Sequence, residues 1–123
     1  MKENIVKMNK RKFGIIGEKI AQDYLKNNGY EIIETNFYTK IGEIDIISRK
    51  DKCIIFLEIK TRNNLEYGTP AMAVNFNKKR HIKNSAKIYI HINKLYGWDV
   101  RFDVIEIIIK NGKCQINHIK NIM

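Results

Sequence analysis

"IGEIDIISRKDKCIIFLEIKTR", residues 41–62, holds two runs of β-branched and aromatic residues separated by a short polar segment. The runs "IGEIDIIS" (41–48) and "CIIFLEIK" (53–60) are expected strands, and "RKDK" between them is a turn that pairs them as a hairpin. Side chains alternate along a strand, so Glu43 and Asp45 are expected on one face with Ile44 and Ile46 on the other. In the second strand Glu58 and Lys60 share a face with Ile54 and Phe56, opposite Ile55, Leu57 and Ile59. Both faces are apolar up to the strand's end, the pattern of a covered central strand. Charges at that end must be paired, or bind an ion, to offset their desolvation.

Upstream of the hairpin, "FGIIGEKIAQDYLKNN" (13–28) places Ile16, Ile20 and Tyr24 on one helical stripe with Ala21 and Leu25 beside it, and Gly29 follows as a stop. "YEIIET" (30–35) reads as a short strand. Downstream, residues 71–93 read as mainly helical, broken near Asn75 to Asn77, with Ile82, Ala86, Tyr89 and Ile90 at helical spacing. "VRFDVIEIII" (100–109) is a long strand, and "NG" at 111–112 is a hairpin signal leading into "CQINHI" (114–119). The order is helix, three strands, helix, two strands. A helix able to cross over between strands implies an α/β domain with a central mixed five-stranded sheet flanked by helices.

The chain of 123 residues has one proline, no linker-like segment and no repeat, so residues 1–123 are expected to fold as one unit, with 1–12 as a basic N-terminal arm. That arm lacks the apolar run of a secretory signal, and "CIIFL" is too short to cross a bilayer. A cytoplasmic protein without membrane partners is expected. Cys53 and Cys114 have no metal-ligand spacing and are expected to be buried free thiols. His81, His91 and His118 lack the mutual spacing of a metal site or triad and are read as structural.

The net charge of +10 suits a polyanion such as nucleic acid or an anionic membrane surface. A general loading with Lys, Asn and Ile competes with that explanation, and so does a protein partner. Basic residues nonetheless cluster in "KMNKRK", "SRKDK" and "NKKRHIKNSAK".

If the hairpin brings Asp45 beside Glu58, the two carboxylates at about 5 Å repel by roughly 3 kcal/mol at an effective dielectric of 20. Lys60 can relieve this as an ordinary ion-pair partner. Magnesium can relieve it too, because that ion takes one or two carboxylates plus waters and phosphate oxygens. Glu18 adds weight to the second account: with Gly14, Gly17 and Ala21 around it, its surroundings on the helix are stripped of bulk, as close approach of a sheet or a substrate requires.

The ordered set "GEKIA…YL…GY", "N…GEIDII", "FLEIKTR", "YGTPAMAV", "KK", "AKIYI" and "RFDVI", spanning about residues 13–109, resembles the YraN family of small bacterial proteins, uncharacterised protein family 0102. The resemblance implies a restriction-endonuclease-like, PD-(D/E)XK fold similar to archaeal Holliday-junction resolvases. It makes Asp45, Glu58 and the backbone carbonyl of Ile59 the metal ligands, Lys60 the catalytic lysine and Glu18 a helix-borne acid of the site. Ile44 stands where the superfamily name has proline. The cofactor implied is Mg²⁺, with Mn²⁺ as a substitute, and resolvase-like relatives suggest a homodimer.

The chemistry expected is hydrolysis of DNA phosphodiester bonds, in branched or damaged DNA, with DNA favoured over RNA. Lys60 would orient the attacking water, act as its base, or stabilise developing charge. Glu43 is a second acid near Asp45, or a solvated strand-end residue. Lys78, Lys79 and Arg80 are the first choice for phosphate contacts, with Arg62 behind them; Tyr67 in "NNLEYG" would stack on a base or pack on the sheet. The alternative from another class is a nucleic-acid-binding or assembly module that keeps the nuclease-like fold and turns over nothing.

Overall fold

The computed structural model describes residues 10–63 and 76–122. Residues 1–9 of the expected arm, Tyr67 and the "YGTPAMAV" segment lie outside the described residues, as does any helix over 71–75.

Helix α1 (Lys10–Asn27) is followed by strands β1 (Glu31–Tyr38), β2 (Glu43–Lys50) and β3 (Cys53–Arg62), then by helix α2 (Phe76–Ile92) and strands β4 (Asp99–Lys110) and β5 (Lys113–Ile119). This is the element order the sequence implies. The five strands lie in one sheet in the order β1-β2-β3-β4-β5. β3 and β4 are parallel and the other pairs antiparallel. A parallel pair cannot be joined by a tight turn, and α2 lies in the connection between them. The α/β fold with a mixed five-stranded sheet and helices is consistent with a restriction-endonuclease-like architecture.

Local chemistry sets the turns. Asn111 and Gly112 both have positive φ (52° and 73°), the geometry that makes Asn-Gly a hairpin signal. Gly29, at φ 84°, ends α1 as expected. β1 runs on to Tyr38, longer than its first apolar residues suggested, and carries a bulge between Ile32 and Glu34.

The sheet is covered on both faces. On one, Ala21 and Leu25 of α1 meet Ile46, Ile55, Leu57, Ile105 and Ile107. On the other, Ile82, Ala86 and Tyr89 of α2 meet Ile44, Ile47, Ile54 and Phe56. This double burial explains why β3 is apolar on both sides.

Three expectations are corrected. The buried line of α1 runs through Gly17, Ala21 and Leu25, while Ile16 is exposed. A glycine on that line lets the helix sit directly on the sheet: a Cβ at Gly17 would collide with Thr61 Oγ1 and lie 2.8 Å from Thr61 Cβ. Secondly, Ile44 and Ile46 do not share a face, since Ile44 packs under α2 and Ile46 under α1. The alternation slips across Asp45, and the cause lies in the candidate site. Cys53 and Cys114 are both free thiols, but Cys114 is exposed on an edge strand and Cys53 only half-buried.

Candidate metal centre

Three elements bring four carboxylates together. α1 carries Glu18, β2 carries Glu43 and Asp45, and β3 carries Glu58. One carboxylate oxygen each from Glu18, Glu43 and Asp45 lies within 4.8 Å of the others. With Glu58, Phe13, Gly14, Ile59 and Thr61 they line a cleft of about 450 Å³. Gly14 lies in that lining, and a Cβ there would stand in open space with nothing within 4 Å.

The slip in β2 serves this convergence. Its antiparallel ladder with β3 runs from Lys50↔Cys53 to Ile46↔Leu57. At the next residue the Asp45 side chain, through Oδ2, accepts the Ile59 backbone N–H at 2.8 Å. A carboxylate thus substitutes for a backbone acceptor and is fixed beside Glu58. The preceding turn is held from α2: Thr39 Oγ1 accepts the N–H groups of Ile41 and Gly42, both at 3.1 Å, and lies 2.9 Å from Ser85 Oγ. This ties down the residues that lead into Glu43.

Electrostatics report the crowding. Burial, and then the charges of Glu58, Glu18 and Glu43, push the Asp45 carboxyl up to about 8, against the lowering effect of the Ile59 N–H. Burial and the charges of Glu43 and Glu58 also raise Glu18, against a hydrogen bond from the Asn36 side chain. The donor set is all oxygen and strongly anionic, which suits a hard divalent cation such as Mg²⁺ or Mn²⁺ rather than a soft one. A cation already stands in part of the cluster: Lys78 Nζ of α2 is 2.5 Å from Glu58 Oε1.

Glu18, Asp45 and Glu58 converge on one place, and Ile59 lines the same cleft. Glu43, expected as an accessory acid or a solvated residue, sits inside the tight triple. Among the described residues Glu58 forms an ion pair with Lys78 and none with Lys60 two positions along. Lys60 instead stands opposite Glu106 in the parallel register and is not among the described residues lining the cleft. Arg62, expected at phosphate, has Nη1 3.9 Å from Oε2 of the buried Glu106. Lys79 and Arg80 lie on α2 beside Lys78, Arg80 exposed and Lys79 half-buried. His118 is structural in a specific way, as its Nε2 meets the buried Asp103 at 2.7 Å and its Nδ1 meets the Tyr24 hydroxyl at 3.0 Å.

Sequence reasoning missed Asn36 and the inward role of Lys78. Asn36 has φ 53° inside β1, and asparagine is poorly suited to a strand interior yet tolerant of the left-handed region. An Asn within a β-branched and aromatic run was the available signal.

The class defined by this fold and cluster is an α/β protein with a carboxylate centre at the junction of its first helix and central strands. Residues 17–107 match the model of "Uncharacterised protein family UPF0102". Similar proteins, each a "UPF0102 protein", include one from Alkaliphilus oremlandii, 45% identical over 116 residues, and one from Caldicellulosiruptor bescii, 47% identical over 121 residues. Each alignment covers 93% of this chain and 98% of the relative. A third, from Acetivibrio thermocellus, is 51% identical over 102 residues, covering 82% of this chain and 78% of the relative. The chain belongs to the UPF0102 family, the YraN family.

Proposed function

We propose that the protein is a metal-dependent endonuclease that hydrolyses phosphodiester bonds in DNA, branched or damaged DNA being the favoured substrate, on a fold of the PD-(D/E)XK kind similar to archaeal Holliday-junction resolvases. The observation that carries this reading is the convergence of Glu18, Glu43, Asp45 and Glu58 beside an open cleft in a chain of net charge +10. Scattered surface acids would need no such arrangement. Burial and mutual repulsion make these carboxylates costly in the absence of a cation.

Glu18, Glu43, Asp45 and Glu58 are the residues that would hold Mg²⁺ or Mn²⁺. Such an ion supplies a water of lowered pKa and polarisation of a phosphoryl oxygen. The chain's part is to position and to balance charge. Asp45 is locked by the Ile59 N–H, and Gly14 in the cleft lining has open space where a Cβ would stand, which leaves room for a phosphate to approach the carboxylates. Lys60 contributes an ammonium on the face of β3 that carries Glu58, there to orient water or stabilise developing charge. Lys79 and Arg80 would bring positive charge to the DNA backbone from α2, while Lys78 beside them is paired with Glu58.

One observation favours the second reading, a binding or assembly module without turnover: Lys60 lies outside the described lining of the cleft, next to Glu106. The experiment that separates the two incubates the protein with labelled four-way junctions, flaps, single strands and duplexes, with Mg²⁺ or Mn²⁺ and with chelator. Cation-dependent cleavage that disappears in Asp45→Asn and Lys60→Ala supports the nuclease. Binding that survives both changes, with no product under any condition, supports the module.

A further inference from the structure

Glu43, Asp45 and Glu58 face two hollows. One is the cleft under α1 that also holds Glu18. The other, about 420 Å³, opens toward α2 and is lined by the same three carboxylates with Lys78, His81 and Ile82. Lys78 reaches into it to meet Glu58, whose side chain is 7% exposed, while the lysine side chain remains 47% exposed. The buried partner is therefore the carboxylate, and the ammonium sits on a flexible stem that can swing outward without unpacking the core.

Charge arithmetic shows that this pair leaves the centre under-neutralised. Lys78 brings one positive charge to a cluster of four carboxylates, of which Glu18, Glu43 and Asp45 each have an oxygen within 4.8 Å of the others. A divalent cation brings twice the charge and accepts several oxygens at once. Once it is bound, Glu58 has less residual attraction for Lys78, and like charges a few ångströms apart repel.

We propose that Lys78 is a tethered counter-ion of the carboxylate centre: it gives up Glu58 when a divalent cation binds, and then presents its ammonium to a nucleic-acid phosphate at the mouth of the α2-side hollow. The inference rests on the reading of the carboxylates as a cation centre. It adds that cation binding and polyanion binding are thermodynamically coupled through one side chain. Without the cation, Lys78 is engaged inward; with it, the same charge faces substrate.

The test measures Mn²⁺ affinity from the loss of the free-ion EPR signal in the wild type and in Lys78→Met, Lys78→Arg and Lys83→Met. Lys83 is exposed on the same helix and serves as the control for general charge. Removing the competing ammonium is expected to tighten Mn²⁺ binding by about fivefold in Lys78→Met, the order of one partly exposed ion pair. Lys83→Met should stay within about twofold of wild type, as a charge held in solvent is well screened. Lys78→Arg keeps the competitor and should bind no more tightly than wild type. The affinity for a short fluorescent duplex, at constant ionic strength, should rise with Mn²⁺ in wild type and lose that rise in Lys78→Met.

Mn²⁺ binding unchanged or weakened in Lys78→Met, or a Mn²⁺-dependent rise in duplex affinity that persists there, overturns the inference and leaves a fixed ion pair. Those outcomes spare the cation centre itself. Wild-type protein that takes up no Mn²⁺ overturns the centre, and the inference with it.

Discussion

Asp45 accepts the backbone N–H of Ile59 through its side chain at 2.8 Å, where β2 leaves its ladder with β3. The carboxylate is needed there as an acceptor but is penalised as a charge, because burial and the neighbouring Glu58, Glu18 and Glu43 all raise it. Asp45→Asn keeps an acceptor oxygen and removes the charge. It is expected to raise the stability of the cation-free protein by about 1–2 kcal/mol, seen as a rise of several degrees in Tm. Asp45→Ala leaves the Ile59 N–H without this acceptor and should gain less, or lose. Mg²⁺ or Mn²⁺ should raise the wild-type Tm by mass action and leave Asp45→Asn nearly unmoved. Thermal melts of the three proteins, with cation and with chelator, check this. A wild type that melts identically in both buffers refutes it.

Gly17 touches Thr61 so closely that one methyl group matters. Alanine would favour the helix by about 1 kcal/mol in isolation. Here it collides with a β-branched side chain that has little rotamer freedom, and overpacking of this kind costs about 1–3 kcal/mol. Gly17→Ala is therefore expected to lower stability on balance, and to displace Glu18, the next residue, from the carboxylate triple. Gly14→Ala has open space and should not lower stability. Denaturant midpoints for both variants decide it, since equal behaviour would mean that α1 does not press on β3 as the structure has it.

How far these features were legible depends on the range of the interactions behind them. The hairpin of residues 41–62, the Asn-Gly turn and the order of elements follow from local chemistry: alternating β-branched residues, positive-φ turn residues, a glycine stop. The meeting of Asp45 with Glu58 followed from hairpin register alone. What local pattern could not show was the slip at Asp45, because a side chain there takes the place of a backbone rung and breaks the period from which faces are counted. Lys78 and Lys79 look alike in sequence, and only the packing of α2 turns Lys78 inward to Glu58. Asn36 and Glu18 are brought together by tertiary contact between β1 and α1, which spacing along the chain does not encode.

Acid lability should be governed by a second buried carboxylate, away from the candidate site. Burial alone would raise Asp103, but hydrogen bonds from His118, Arg101 and the Asn121 N–H outweigh it and hold the carboxyl below its ordinary 3.8. Arg101 Nε and Nη2 donate to it at 2.9 and 2.7 Å. A carboxyl depressed by folding contributes stability that is present above the unfolded value and lost as pH falls through the folded one. The protein should thus keep this contribution above about pH 4 and lose it progressively below. Asp103→Asn should cost about 3 kcal/mol or more near neutral pH, because it leaves the buried donors around it without their charged partner. It should also flatten the acid limb of the stability curve. Urea denaturation of both proteins from pH 2 to pH 7 measures both effects, and parallel acid limbs would count against the assignment.

Lys60 separates chemistry from binding, provided its structural duty is measured as well. It opposes Glu106 in the parallel register, and Glu106 is 3% exposed, with Asn117 Nδ2 donating to Oε1 at 3.0 Å and Arg62 Nη1 3.9 Å from Oε2. Lys60 and Glu106 are register partners without an ion pair between them among the described residues, so a cation at that position offsets the buried charge only at longer range, and Lys60→Ala should lose no more than about 1 kcal/mol of stability, recovered in part by adding Glu106→Gln. Cation affinity should change little, because the carboxylates of the triple remain. If Lys60 tends the attacking water or the developing charge, cleavage should fall by roughly 10²- to 10³-fold in Lys60→Ala, and should stay low in the restabilised double variant. Recovery of cleavage together with stability would show instead that Lys60 acts through the packing of β3 against β4.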